Sequence, residues 1–568
     1  MFKLRRFLKD YKPQLIIGPL CKLFEAVLEL FVPLVMAQII DNGIIKGDAS
    51  YVYKMGGALV VLGVLGLSSA LVCQYMASYT SQGAGTKIRA ALFEHIGTLS
   101  HRELDRLTTP ALITRMTSDI NYVQANIAMT MRLLLRAPFL IIGALIMSCF
   151  IDLQISLIFF GATAVIGLIL WLVMRGSLPF YKRIQAGLDR LSLLARENLG
   201  GNRVIRAFSK QRAQRDAFDD EAKRLEKTTV RVGRLSALLN PATYAVTYIA
   251  VILILWFGGQ KVGGGELLSG DIVALTSYMT QILLAMIVLA NLVVLLSKGS
   301  AGAARINEVF ETEPSVKELS TVEVKPVENA PKVEFKNVDF SYGDGDSELQ
   351  GISFKIEKNT TAGIIGTTGS GKSTLLSLIM RYYDTTDGTV EVDGVDVKEY
   401  PFEQLRGKIA VVPQKAVLFS GTVRSNMKWQ KPDASDDEIW EALKTAQADK
   451  FIDRLDMSVA QGGMNFSGGQ RQRLCIARAL VGEPELIILD DSFSALDFAT
   501  EKALRSELMK KKATFIIVTQ RCSTIMGADK ILVLEDGCLV GEGTHGELYR
   551  NNPTYREICR TQLKEAAI

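Results

Sequence analysis

Nine residues, Gly366 to Thr374, read GTTGSGKST, with four residues between the outer glycines and Lys372 and Ser373 directly behind; the apolar run Ala362 to Ile365 precedes them. That spacing is made for phosphate. Glycines let the backbone curl until successive N–H groups converge on anionic oxygens. Lys372 would neutralise the β and γ phosphates of a nucleoside triphosphate. The Ser373 hydroxyl would ligate Mg²⁺ at the start of a helix whose dipole favours anions. The loop itself is Gly366, Thr367, Thr368, Gly369, Ser370, Gly371, Lys372, Ser373 and Thr374.

Other chemistry-bearing residues follow the loop in a fixed order, and one precedes it. Tyr342 closes a β-like run, Val333 to Tyr342, where an aromatic ring could stack on a base; alone it would be an ordinary strand tyrosine. Gln414 follows IAVVP, placed to join Mg²⁺ and nucleotide to a mobile loop. Phe466 to Arg473, FSGGQRQR, sets Ser467, Gly468, Gly469 and Gln470 at an expected helix start, a second anion-binding arrangement. Leu486 to Asp490 is an apolar strand ending in a carboxylate, the usual metal partner of a phosphate loop, with Asp490 reaching the ion through water. Ser494 to Asp497, SALD, comes four residues later.

These residues need a sheet to hold them. Short β runs at Val333–Tyr342, Thr361–Ile365, Ile409–Pro413, Leu486–Asp490, Thr514–Thr519 and Ile531–Leu534 alternate with helical stretches, which predicts an α/β domain over 333–568. Residues 311–332 bring Pro314, Pro326 and Pro331 among charged and small residues and read as an exposed linker.

The first 310 residues are different in kind. With 568 residues, 48% of them hydrophobic, and a mean hydropathy of +0.20, the chain is too long for one core and too apolar for a wholly soluble protein. Six apolar segments have spanning length: about Leu15–Ile40, Met55–Tyr79, Leu133–Ile151, Ile155–Met174, Ser236–Phe257 and Ile272–Leu296. Lys3, Arg5, Arg6, Lys9 and Lys12, then Arg175, Lys182, Arg183, Arg190, Arg196, Arg203 and Arg206, fall on one side; Lys46, Lys54 and Lys261 fall on the other. Both termini are therefore expected in the cytosol, on a multi-pass plasma-membrane protein. The connections 80–132 and 175–235 keep helical periodicity, and as helix pairs of about 25 residues they would extend roughly 35–40 Å from the membrane.

Within the first crossing Lys22, Glu25 and Glu29 share a stripe about 60° wide. Such charges face protein or a wet cavity, either as a cargo-lining patch or as an internal ion-paired face. Arg132 and Arg136 are expected to snorkel to head groups. Ser277, Gln281 and Asn291 would line a pore or bond between helices. The net charge of +5 implies neither a nucleic-acid surface nor an acid-rich partner. Seven cysteines without zinc spacing read as free thiols. No small-residue cleavage site follows the first apolar segment, so a removed signal peptide is not expected.

Taken together, the chain resembles an ABC exporter half-transporter over essentially its whole length, six membrane helices followed by a nucleotide-binding domain. GTTGSGKS resembles Walker A, FSGGQ the ABC signature, LIILD Walker B and SALD the D-loop. PALITRMTSDINYVQ (110–124) and ENLGGNRVIRAF (197–208) resemble the exporters' intracellular coupling regions. The resemblance implies ATP and Mg²⁺ as cofactors, with Ser373, Gln414 and Asp490 at the metal and an ATPase coupled to transport. It also implies composite ATP sites, each closed by the signature of a second chain.

Two departures stand out. Hydrolysing members carry glutamate after the Walker B aspartate and histidine after the next strand; this chain has Asp491 and Gln520 there, and its histidines are His95, His101 and His545. Such a site resembles the degenerate subunit of bacterial heterodimeric multidrug exporters. It would bind ATP, hydrolyse it slowly, and lend Phe466–Gln470 to a partner's competent site. Phe466 replaces the usual leucine. The segment 455–465 is about four residues shorter than the family pattern, with Gln461 at a usual glutamate. The reading is export of small amphipathic, drug-like molecules; lipid or peptide cargo, a homodimer, and an ATP-gated channel or regulator are the alternatives.

Overall fold

The computed structural model describes residues 2–319, 322–343, 345 and 347–562. Linker residues 320 and 321, residues 563–568 of the expected α/β domain, and the side chains of Lys3 and Lys182 counted above lie outside it. The chain divides into two compact units, Met1–Gly97 with Thr109–Thr312, and Thr98–Thr108 with Glu313–Ile568.

In the first unit, long apolar stretches form helices because only intrasegment hydrogen bonds satisfy a backbone away from water. Among the described residues six helical spans are long and apolar enough to cross a membrane: Leu4–Ile44, Ala49–Thr98, Thr109–Ile151, Leu153–Gly200, Gln211–Gly263 and Ser269–Glu311. Each expected segment lies inside one of them. At most 29% of any apolar window is buried by protein, so the remaining apolar surface calls for lipid. The protein-facing stripes meet in a core that includes Leu30, Phe159, Ile254 and Leu275. Two polar contacts tie the helices together, the Tyr278 hydroxyl donating to the Leu30 carbonyl at 2.6 Å and the Gly270 N–H to Asp41 Oδ1 at 2.7 Å.

The spans continue beyond membrane length without a break. The fourth and fifth lie side by side and antiparallel, Gly176 against Leu235 and Gly187 against Leu225, which is the helix pair expected of 175–235. A short helix, Asn202–Ala207, caps the turn between them and buries none of its residues.

The described residues of the second unit hold two main sheets and a separate two-stranded pair, Gly421–Thr422 with Ser458–Val459. The strands are β1 (Val333–Phe340), β2 (Leu349–Ile356), β3 (Thr361–Gly366), β4 (Asp387–Val392), β5 (Val395–Asp396), β6 (Ile409–Val412), β7 (Gly421–Thr422), β8 (Ser458–Val459), β9 (Leu486–Asp490), β10 (Thr514–Val518), β11 (Lys530–Glu535) and β12 (Cys538–Gly543). The larger sheet runs β12-β11-β3-β10-β9-β6, and the smaller β2-β1-β4-β5. Every residue of β3 is buried, as a strand covered on both faces must be. β6, β9, β10, β3 and β11 pair in parallel, so Val412, Asp490, Val518 and Gly366 end on one edge of the sheet. Ligands of open parallel sheets bind at that edge.

The expected linker is only partly exposed. Val316 and Lys332 are buried, and the Val324 backbone exchanges hydrogen bonds with the Gln404 side chain. Cys522 and Cys559 are joined as a disulfide, which corrects the reading of every cysteine as a free thiol.

Candidate functional site

The phosphate loop is the turn from β3 into helix α2 (Lys372–Ile379); α1 is the earlier helix His101–Leu107. Gly369 and Gly371 take φ of +85° and +90°, a left-handed backbone that favours glycine. A Cβ on Gly366 would lie 2.2 Å from the Leu534 carbonyl, so β11 leaves room for glycine alone. Lys372 Nζ folds back over the loop, donating to the Gly366 carbonyl at 3.0 Å, the Ser370 hydroxyl at 3.2 Å and the Thr367 carbonyl. Burial lowers the affinity of this ammonium for its proton, and the nearby Asp490 and Asp491 carboxylates work the other way.

Parallel pairing brings the other groups in. Val518 lies opposite Asp490 in register, so the residues after each strand, Asp491 and Gln520, reach the loop together. They line one cleft of about 210 Å³ with Thr368, Gly369, Gly371, Lys372, Ser373, Thr374 and Gln414. Ser373 Oγ donates to Asp490 Oδ2 at 3.3 Å. Burial pushes the Asp490 carboxyl up, and Asp491 adds to the rise against the pull of the Ser373 hydrogen bond and Lys372. Asp491 has φ +45° and donates its N–H to the Val518 carbonyl at 2.9 Å. A lysine, a helix N-terminus and glycine N–H groups facing a carboxylate with a hydroxyl are a donor set that fits a triphosphate and a divalent cation.

Not every expected residue lines the cleft. The Tyr342 hydroxyl lies 3.1 Å from Thr374 Oγ1, and its ring meets Phe340 and Tyr383 edge-on instead. Glu348 and Thr519 do line it and were missed: Glu348 introduces β2, a strand the sequence reading did not find. The signature segment lies outside the cleft. Ser467 caps helix α3 (Gly468–Leu480), its backbone N–H donating to Gln470 Oε1 at 2.9 Å. Phe466 is buried against the Phe451 ring. Gly469 faces the Ala495 carbonyl, where a Cβ would sit at 3.0 Å. Ser494 Oγ donates to the Asp491 carbonyl at 2.8 Å, and Asp497 caps helix α4 (Phe498–Leu508) by accepting the Thr500 N–H at 2.9 Å.

The segment docked on this unit is α1, just upstream of the stretch 110–124 singled out from sequence. The His101 ring stacks 4.1 Å from Tyr382, the Tyr383 hydroxyl donates to Asp105 Oδ2 at 2.9 Å, and Glu103 accepts from the Ser315 N–H at 3.2 Å. The available signal was Ser100 and Thr108 bracketing a seven-residue helix with His101 and Asp105 on one face. In the first unit the charged stripe is paired. Lys22 donates to Glu25 at 2.6 Å and Arg136 to Glu29 at 2.7 Å, while Gln281 Nε2 approaches the Glu29 carbonyl at 3.5 Å. Arg136 thus reaches into the protein rather than to head groups, and Arg132 donates to Ser78 Oγ at 2.9 Å. The Ser277 hydroxyl donates to the Val273 carbonyl of its own helix.

Residues 15–286 match the family described as ABC transporter transmembrane region, and 349–494 the family described as ABC transporter. An uncharacterized ABC transporter ATP-binding protein of Mycobacterium tuberculosis is 36% identical over 100% of this chain and 98% of its own. One from Bacillus subtilis is 35% identical over 99% of both chains. A protein of Vibrio vulnificus named ATP-dependent lipid A-core flippase is 28% identical over 99% of this chain and 97% of its own. The fold is similar to that of a bacterial Atm1-family ABC exporter solved with ATP bound, at a TM-score of 0.78 and 24% identity over 100% of this chain and 99% of that one.

Proposed function

The chain belongs to the ABC transporter family as an exporter half-transporter, and from that premise we propose that it is the degenerate-site half of a heterodimeric multidrug exporter. Residues 1–310 form its transmembrane domain, 311–332 the linker and 333–568 the nucleotide-binding domain. The observation that carries the reading is the pairing of Asp491 and Gln520 on the same cleft as Lys372 and Ser373.

Lys372 and the N–H groups of Gly369 to Ser373 hold the phosphates. Ser373, Gln414 and Asp490 would hold Mg²⁺, which would neutralise phosphate charge. Asp491 stands where a water would be polarised, but its carboxylate is one methylene short of the glutamate that hydrolysing members use. A shortfall of about an ångström costs on the order of a hundredfold in rate. Gln520 can donate a hydrogen bond but carries no imidazole. Nucleotide is held and cut slowly, while Ser467, Gly468 and Gly469 complete the partner's site. Closure of the two nucleotide-binding domains on ATP, carried through α1, turns the membrane helices outward, and hydrolysis in the partner's site resets them.

The Vibrio relative's name favours a second reading, lipid cargo through the same membrane domain. Both readings share one test of the site. The Asp491→Glu plus Gln520→His variant should raise ATP turnover at this site at least tenfold, measured in a partner-bound complex whose own glutamate is disabled. Unchanged turnover refutes the degenerate-site account. Stimulation of the intact pair by amphipathic drugs or by lipids, each added to nanodiscs, separates the two cargo classes.

A further inference from the structure

Cys522, His545 and Cys559 come from three separate elements: the short helix Cys522–Ile525, the first residue of helix His545–Asn551, and the last helix, Pro553–Gln562. Their ligating atoms all lie within 4.8 Å of one another. Both cysteines are fully buried, 37 residues apart in sequence, with Cα atoms 5.7 Å apart. The Tyr555 hydroxyl lies 2.8 Å from His545 Nδ1 and 3.5 Å from Cys522 Sγ, so one phenol orients the ring and touches a sulfur. A hydroxyl behind a histidine is the kind of support that metal-binding imidazoles carry.

We propose that in the reduced protein Cys522, Cys559 and His545 bind a thiophilic divalent cation, Zn²⁺, and that the disulfide is the oxidised form of the same pair. Two thiolates and an imidazole are a zinc donor set, with a fourth position left for water. Under the cytosolic placement of this unit, thiols are kept reduced. A dithiol reductant of the thioredoxin class opens the bond and leaves as its own disulfide, giving two thiols. Zn²⁺ then binds both sulfurs as thiolates and releases two protons.

The position gives the site a task. The Cys522 N–H donates to Gln562 Oε1 at 2.8 Å, and Gln562 Nε2 donates to the Gln520 carbonyl at 2.7 Å. The ion therefore pins the last helix to the segment that presents Gln520 to the nucleotide cleft.

The test uses full-length protein in nanodiscs, reduced with a phosphine and loaded with Co²⁺ as a spectroscopic stand-in for Zn²⁺. A thiolate-to-cobalt charge-transfer band should appear at one equivalent and be displaced by Zn²⁺. In Cys559→Ser the band should vanish, and Zn²⁺ affinity should fall by more than about a hundredfold, since even partners behind a ligand are worth roughly ten- to a hundredfold. Cys559→Ala, which preserves an apolar packing surface, repeats the test if the serine variant folds poorly; retained ATP binding reports the fold. Cys21, Cys73, Cys149, Cys475 and Cys538 stay in every variant, so their contribution subtracts out. No band in the reduced wild type, or an equal band in Cys559→Ser, overturns the proposal.

Discussion

Asp393 shows how a single carboxylate can carry stability. Lys332 Nζ lies 3.0 Å from Asp393 Oδ2 and Lys408 Nζ 2.9 Å from it, with Lys332 and Asp393 each only 2% exposed. Burial works against this carboxylate, but the hydrogen bonds from Lys408 and Lys332 outweigh it and hold its pKa below the ordinary 3.8. A depressed carboxylate contributes stability that is fully present above its unfolded pKa and lost as pH falls through the folded one. Acid unfolding of the nucleotide-binding unit should therefore steepen below pH 3.8. Asp393→Asn strands a buried ammonium, which costs roughly 3–5 kcal/mol when no other partner remains. Glu485, 2.5 Å from Lys332, keeps the loss near the lower figure, about 3 kcal/mol in urea unfolding. A loss under about 1 kcal/mol would show that the pair is not acting as a buried one.

At the scale of elements, α1 is the piece of chain that joins the nucleotide-binding unit although its sequence neighbours belong to the membrane unit. Its anchor is the His101 ring on Tyr382. Burial lowers the His101 pKa below 6.5, with Asp105 opposing and Arg406 reinforcing the shift. A histidine with a depressed pKa binds its proton more readily when undocked, so docking is strongest above pH 6.5 and weakens as pH falls below it. Protection factors of residues 101–107, with exchange rates corrected for their intrinsic pH dependence, should fall between neutral and mildly acid pH. His101→Phe, which keeps an aromatic ring and cannot titrate, should remove that dependence; an unchanged profile would place its origin elsewhere.

At the scale of the whole molecule, the sidedness set by the basic residues can be checked directly. A cysteine placed at Gly47 should react with a membrane-impermeant maleimide on intact cells, and one at Gly201 only after permeabilisation; the reverse pattern refutes the assigned orientation. Much of the architecture could be read from residue order alone. Leu486–Asp490 is a strand as read, and the six apolar segments each lie in a spanning helix, because period and length act over neighbouring residues. The phosphate loop was legible for the same reason, Gly369 and Gly371 being needed by local backbone geometry. Contacts between distant residues were not legible. Parallel pairing of β9 with β10 decided that Asp491 and Gln520 share a cleft with Lys372, and packing decided that the Tyr342 ring meets Phe340 and Tyr383 edge-on. Cys522 and Cys559 looked like unrelated thiols because no short spacing announces a pair that only the docking of the last helix brings together. Sequence alone determined which elements form and which chemistry they carry, since propensity, hydropathy and turn geometry are local. Tertiary structure decided which side chains meet, since burial and register depend on segments the local chain never touches.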